Sequence, residues 1–188
     1  MIAIMSNSLT AELSKLAERE QKLVADDVLF RVGDPILSLF LVASGELRLT
    51  RSLPHGFELT LQRAGAGAVL AEASLFAENY HCEAVATEAS VLRVVPRRQL
   101  QAALTSDSDL ARALIRHLAQ EVQRTRTVAE ILSLKTVAQR IEAWIVLNDG
   151  ILPPKGHWRG LASEIGITPE ALYRELAKRR SSPLAGSD

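Results

Sequence analysis

Trp158 to Lys178 reads WRGLASEIGITPEALYRELAK. Leu161, Ala162 and Ile165 recur at helical spacing and predict the inner face of a first helix, with Ala162 small enough for close contact. Gly166 stands where a left-handed residue would end that helix. Thr168 then offers a side-chain cap and Pro169 fills the first helical position, a matched start signal for a second helix. On that helix Ala171, Leu172 and Leu176 face inward, whereas Glu170, Tyr173 and Arg174 face out. Helix, glycine turn and capped helix at this spacing predict a helix-turn-helix that docks on DNA; an ordinary helical hairpin has the same local signals. Arg174 suits guanine O6 and N7 and Glu170 suits cytosine N4, although Glu and Arg four apart also make a surface salt bridge. Thr168, Pro169, Glu170, Tyr173, Arg174 and Lys178 form the expected DNA-contact set.

Upstream, Thr136 is positioned to cap a helix with Val137, Ile141, Trp144, Ile145 and Leu147 on its apolar face. Asn148-Asp149-Gly150 stops it, and Pro153-Pro154-Lys155-Gly156 reads as a turn or linker. Before it, residues 108–134 predict a long helix. Ile115, Leu118, Val122, Thr125, Ala129 and Leu132 alternate at spacings of three and four, a heptad seam suited to a parallel homodimer. Packing of the helix on its own β domain is the competing reading, but Leu110 and Leu114 supply a separate stripe for that purpose.

Residues 97–104 predict a short helix, and Pro96 marks the end of a strand-rich region. Within 21–96, runs such as Val28-Leu29-Phe30, Leu39–Val42, Leu47–Leu49, Leu59–Leu61 and Val91–Val95 alternate with Gly and Pro turns, the signature of an all-β sandwich, roll or barrel. Leu9, Leu13, Leu16 and Ala17 predict an amphipathic helix over 8–20.

The chain of 188 residues is 47% hydrophobic and 23% charged, the composition of an ordinary globular protein. It has neither a bilayer-length apolar run nor the elements of a secretory signal, so a cytoplasmic location without membrane contact is expected. One cysteine, Cys82, excludes a disulfide framework and any four-cysteine iron–sulfur cluster. Net charge is zero, yet residues 101–188 carry 12 Lys/Arg against 10 Asp/Glu. Phosphate attraction therefore depends on local placement, notably Lys178-Arg179-Arg180. Phosphate-binding loops, nucleophile elbows and metalloprotease motifs are absent, and no enzyme activity or metal-binding motif is expected.

In order and spacing, these parts resemble the CRP/FNR superfamily of bacterial regulators. The resemblance runs from about Leu23 to Lys178. It is carried by Phe30-Arg31-Val32-Gly33-Asp34, Leu41-Val42-Ala43-Ser44-Gly45-Glu46-Leu47, Glu72-Ala73-Ser74-Leu75-Phe76, Val137-Ala138-Gln139-Arg140-Ile141 and the Glu170…Arg174 pair. It implies an α+β chain: an N-terminal double-stranded β-roll of cupin or jelly-roll type over 8–104, a dimerisation helix over 108–134, and a winged helix-turn-helix domain over 136–188. Residues beyond Lys178 carry no strand signal, so a frayed tail without the wing, and weaker DNA binding, are expected. The implied partners are double-stranded promoter DNA, a second copy of the chain and RNA polymerase. A sensor module of the same fold that has lost efficient DNA binding is the alternative.

In that family a Gly-Glu pair precedes the phosphate helix of the β-roll and an Arg-Ser pair follows it; the Glu holds the ribose hydroxyl and the Arg the cyclic phosphate. Here Ala71-Glu72 keeps the Glu, while Cys82-Glu83 falls where the Arg-Ser pair belongs. Loss of the arginine removes a charge-assisted clamp, and Glu83 is expected to repel an anion, so cAMP and cGMP are disfavoured. The effector-pocket candidates are Glu72, His81, Cys82 and Glu83, with Thr125 and Arg126 of the long helix. His81 and Cys82 are candidate haem or metal ligands, although strand alternation is expected to turn neighbours to opposite faces. A buried structural cysteine beside a surface histidine is the plainer alternative, and the cofactor is left unassigned.

Overall fold

In a computed structural model the described residues are 6–52 and 58–181, and the chain divides into two compact units, residues 1–119 and 120–188. The first begins with helix α1 (Ser6–Lys15), followed by strands β1 (Arg19–Leu23), β2 (Val28–Phe30), β3 (Ser38–Ser44), β4 (Glu46–Ser52), β5 (Glu58–Gly65) and β6 (Val69–Leu70). A 3-10 turn at Glu72–Ser74 precedes β7 (Glu83–Ala86) and β8 (Ser90–Pro96), after which α2 spans Arg97–Ser106. Helix α3 (Ser108–Ser133) starts in this unit and runs across the boundary into the next.

The strands form two antiparallel four-stranded sheets, ordered β1-β8-β3-β6 and β2-β7-β4-β5. Alternation explains how they stack. Phe40 and Val42 of β3, Leu47 and Leu49 of β4 and Leu92 and Val94 of β8 enter one core with Phe30, Tyr80 and Cys82. Leu39 and Leu41, on the other face of β3, join Val95, α1 (Leu9, Leu13), α2 (Leu100) and the first turns of α3 (Leu110, Leu114) in a second core. Strand β3 is therefore buried on both faces and reads as a continuous apolar run. Each buried Leu, Val or Phe contributes about 1.5–3 kcal/mol. At the β3–β4 turn Gly45 has φ +82°, and a β-carbon there would lie 2.5 Å from the Ala89 carbonyl oxygen, so the turn admits no side chain.

Two expectations need correction. The first helix stops at Lys15 rather than near residue 20, because Arg19–Leu23 pairs with β8 from Arg19 opposite Val94 to Leu23 opposite Ser90. The final helix continues past Lys178 to Ser181, so residues 179–181 are helical rather than frayed. The rest of the expected tail, 182–188, lies outside the described residues, and with it the question of the wing.

The second unit contains the remainder of α3, then α4 (Val137–Leu147), a 3-10 turn at Lys155–His157, α5 (Trp158–Glu164) and α6 (Pro169–Ser181). Thr136 caps α4 in a reciprocal box: its hydroxyl accepts from the Gln139 amide and the Gln139 side chain accepts from the Thr136 amide, both at 3.2 Å. Ile131, Ile141, Trp158, Leu161, Ala162, Ile165, Leu172 and Leu176 form the core. No helix among the described residues is long and apolar enough to cross a membrane.

Candidate functional site

Local sequence positions the α5–α6 pair. Helix α5 closes in a Schellman arrangement, the Ile167 amide donating to Ala162 O at 2.9 Å and the Gly166 amide to Ser163 O at 3.2 Å. This requires Gly166 at φ +64°. Two residues later the Thr168 hydroxyl accepts from the Ala171 amide at 3.2 Å and starts α6. Leu172 and Leu176 are buried, while Glu170, Arg174 and Lys178 are exposed. Thr168 is exposed and Pro169 half-buried at the start of the same helix.

Tyr173 is less free than its outward position suggests. Its ring lies 5.0 Å from that of buried Trp158, whose indole Nε1 donates to Pro153 O at 2.8 Å. The basic cluster at the end of α6 is also divided. Lys178 lies 3.7 Å from Glu175, and Arg179 turns to α4, pairing with Glu142 and donating to Ala138 O at 3.1 Å. Arg179 is thus partly committed to holding α6 on α4.

Along α3 the seam residues differ from one another. Ile115, Val122 and Leu132 are 66%, 50% and 42% exposed, and Thr125 and Ala129 are exposed with them. Leu118 instead packs half-buried against the α1–α2 core, beside the buried stripe of Leu110 and Leu114.

The β-roll holds a small cavity of about 110 Å³ lined by residues that include Phe30, Leu49, Glu72, Ser74, His81 and Cys82. Ala71 enters it from a left-handed backbone (φ 72°), a conformation costing an alanine about 1–2 kcal/mol. His81 and Cys82 share this lining, contrary to the alternation expected of them, because β7 starts only at Glu83. The His81 ring Nδ1 lies 3.3 Å from Ser74 Oγ, and Arg51 Nε donates to the His81 carbonyl at 3.3 Å. Burial pushes the Cys82 thiol above its ordinary pKa, outweighing the nearby Arg51 guanidinium that lowers it. A protonated thiol is a poor ligand and a poor nucleophile. Glu83 is not among the residues lining this cavity, and its carboxylate lies 3.9 Å from Arg31 Nε. Thr125 and Arg126 are exposed on α3. Among the described residues no group of three or more His, Cys, Asp or Glu is arranged to hold a metal ion.

Sequence reasoning gave Arg51 no role and noted Arg140 only as part of a family landmark. Arg51 donates to a carbonyl 30 residues away, and two of the acceptors of Arg140 are 25 and 26 residues away, contacts for which no local signal exists.

The cyclic nucleotide-binding domain family matches residues 20–107. The chain is 25% identical over 183 residues to electron transport regulator A of Shewanella oneidensis, covering 92% of this chain and 73% of that protein. Among solved structures, the N-terminal domain of a transcriptional regulator from Streptomyces coelicolor is 30% identical with a TM-score of 0.53, covering 66% of this chain and 87% of that one. FixK2 from Bradyrhizobium japonicum shares the fold across 90% of this chain and 89% of its own, with a TM-score of 0.67 at 21% identity.

Proposed function

We propose that the chain, which belongs to the CRP/FNR superfamily of transcriptional regulators, acts as a homodimer reading promoter DNA through a helix-turn-helix formed by α5 and α6. One observation carries the reading: Glu170 and Arg174 stand exposed one turn apart on a helix whose start is capped by Thr168 and whose other face is buried by Leu172 and Leu176. Such a helix can enter a major groove and offer a carboxylate to cytosine and a guanidinium to guanine.

The exposed seam of Ile115, Val122, Thr125, Ala129 and Leu132 supports self-association. Two copies joined there would present their α6 helices to half-sites roughly 34 Å apart. An effector event in the β-roll would act by shifting the population of dimer states that differ in this spacing. Cyclic nucleotides suit the roll poorly. Its cavity of about 110 Å³ is well below the ~300 Å³ at which ligand pockets usually begin, and Cys82 stands where the family places its phosphate-binding arginine. RNA polymerase is a further partner this reading implies, in the cytoplasm.

The test is fluorescence anisotropy with labelled TTGA- or TGTGA-type palindromes and scrambled controls across a salt series. Specific, salt-dependent binding that falls by about 1–3 kcal/mol in Arg174→Ala is expected. Absence of binding to every palindrome would replace this reading with that of a sensor module without a DNA target, which the inward turn of Arg179 and the zero net charge favour.

A further inference from the structure

Four carbonyl oxygens from two separate helix ends converge on one side chain. Arg140 Nε donates to Leu134 O at 2.9 Å and Nη2 to Leu132 O at 3.0 Å, both at the end of α3. Its Nη1 donates to Ile165 O at 3.2 Å and Gly166 O at 3.0 Å, in the turn between α5 and α6. Helix C-termini leave their last carbonyls without intrahelical partners and carry partial negative charge, so two such ends repel when they meet. A guanidinium between them removes both penalties, and its planar fork reaches several acceptors at fixed angles. Gly166 closes the arrangement, because a β-carbon there would lie 2.6 Å from Leu132 Cδ2 and 3.1 Å from Arg140 Nη1.

We propose that Arg140 is the positioning residue that fixes the angle between the end of α3 and the α5–α6 turn. Resting on the DNA-binding reading above, it sets the half-site spacing that a dimer accepts. The residue touches no DNA in this role. It ties the carbonyls of residues 132 and 134 to those of residues 165 and 166 across the Thr136-capped start of α4, so the reading helix turns with the long helix rather than swinging about residues 134–136. Lysine has the charge but only one nitrogen, and cannot span the two carbonyl pairs.

The experiment uses the full chain, a set of palindromes whose half-sites are moved together or apart by single base pairs, and an isolated half-site. The unaltered protein is expected to prefer one spacing. Arg140→Lys is expected to lose that preference by about tenfold, or ~1.4 kcal/mol, while half-site binding stays within about twofold. Tryptophan fluorescence at the assay temperature reports whether the variant is folded. A folded Arg140→Lys that keeps the spacing preference overturns the proposal, as does equal loss at all sites including the half-site.

Should the variant not fold, or the unaltered protein bind no DNA, NMR of the unaltered protein decides the matter separately from the DNA-binding reading. A clamped guanidinium gives hindered rotation and distinct Nη signals for Arg140; a freely averaging one overturns the inference.

Discussion

Gly166 is seated so closely against Leu132 that a methyl group on its Cα would lie 2.6 Å from Leu132 Cδ2. The same residue holds φ +64°, so a side chain there meets a strained backbone as well as a Leu132 methyl that must turn away. Gly166→Ala is expected to destabilise the second unit by about 1–2 kcal/mol, chiefly from the left-handed backbone. Both tryptophans of the chain, Trp144 and Trp158, lie in that unit, so urea unfolding followed by their emission reads it directly. An unshifted midpoint would contradict the left-handed backbone at Gly166.

Tyr80 makes the β-roll sensitive to alkali. Its hydroxyl donates to Ser38 O at 2.9 Å and its ring stacks on Phe30 with centroids 3.8 Å apart. Burial pushes its pKa from 10.0 up to about 12. The protonated form is therefore favoured by folding, and its stabilisation is complete below about pH 10 and is lost as pH rises towards 12. Tyr80→Phe is expected to cost about 1 kcal/mol at neutral pH through the lost hydrogen bond, and to flatten the alkaline loss of stability. Equal alkaline slopes with and without the hydroxyl would assign that loss to other groups.

Cys82 should react slowly in the native protein. It is 3% exposed and its thiol is held protonated by burial. With a disulfide reagent at pH 7.5, labelling is expected to be at least about tenfold faster in urea than in buffer. Comparable rates would mean that the cavity opens readily, and would return the thiol to consideration as a reactive group.

The seam on α3 predicts a change of assembly without a change of fold. Val122 is 50% exposed, so Val122→Glu should alter the stability of the single chain by no more than about 0.5 kcal/mol. In the dimer the same carboxylate would be buried against its symmetry mate. Sedimentation at micromolar concentration is expected to shift the variant towards the single-chain mass. A variant that sediments as the unaltered protein does would place the interface elsewhere.

The α5–α6 pair was legible because each of its signals is local. Gly166, Thr168 and Pro169 act within a few residues of themselves, and the structure follows them closely. The apolar runs of β3, β4 and β8 were equally plain, since alternation is imposed by burial. Strand β1 was not. Arg19-Glu20-Gln21-Lys22 is an edge segment with mostly exposed side chains, and nothing but its pairing with β8 makes it a strand. The surroundings of His81 and Cys82 depart from strand alternation for a related reason: both precede β7, which starts at Glu83. Arg140 shows the limit most clearly, because its acceptors at residues 132, 134, 165 and 166 meet only once the unit has folded.

The turning of Arg179 onto α4 bears on how the protein would compete for DNA in a crowded genome. Sequence-independent attraction to DNA is largely the release of counterions, each neutralised phosphate adding about 0.9 to the slope of log affinity against log salt. An arginine that spends its donors on Glu142 and Ala138 O contributes little to that slope. Binding should then respond less steeply to ionic strength than it would with that arginine free, and hold less tightly to unrelated sequence. A larger share of the discrimination would fall to the base edges met by Glu170 and Arg174, giving a regulator that dwells briefly everywhere except at its own sites.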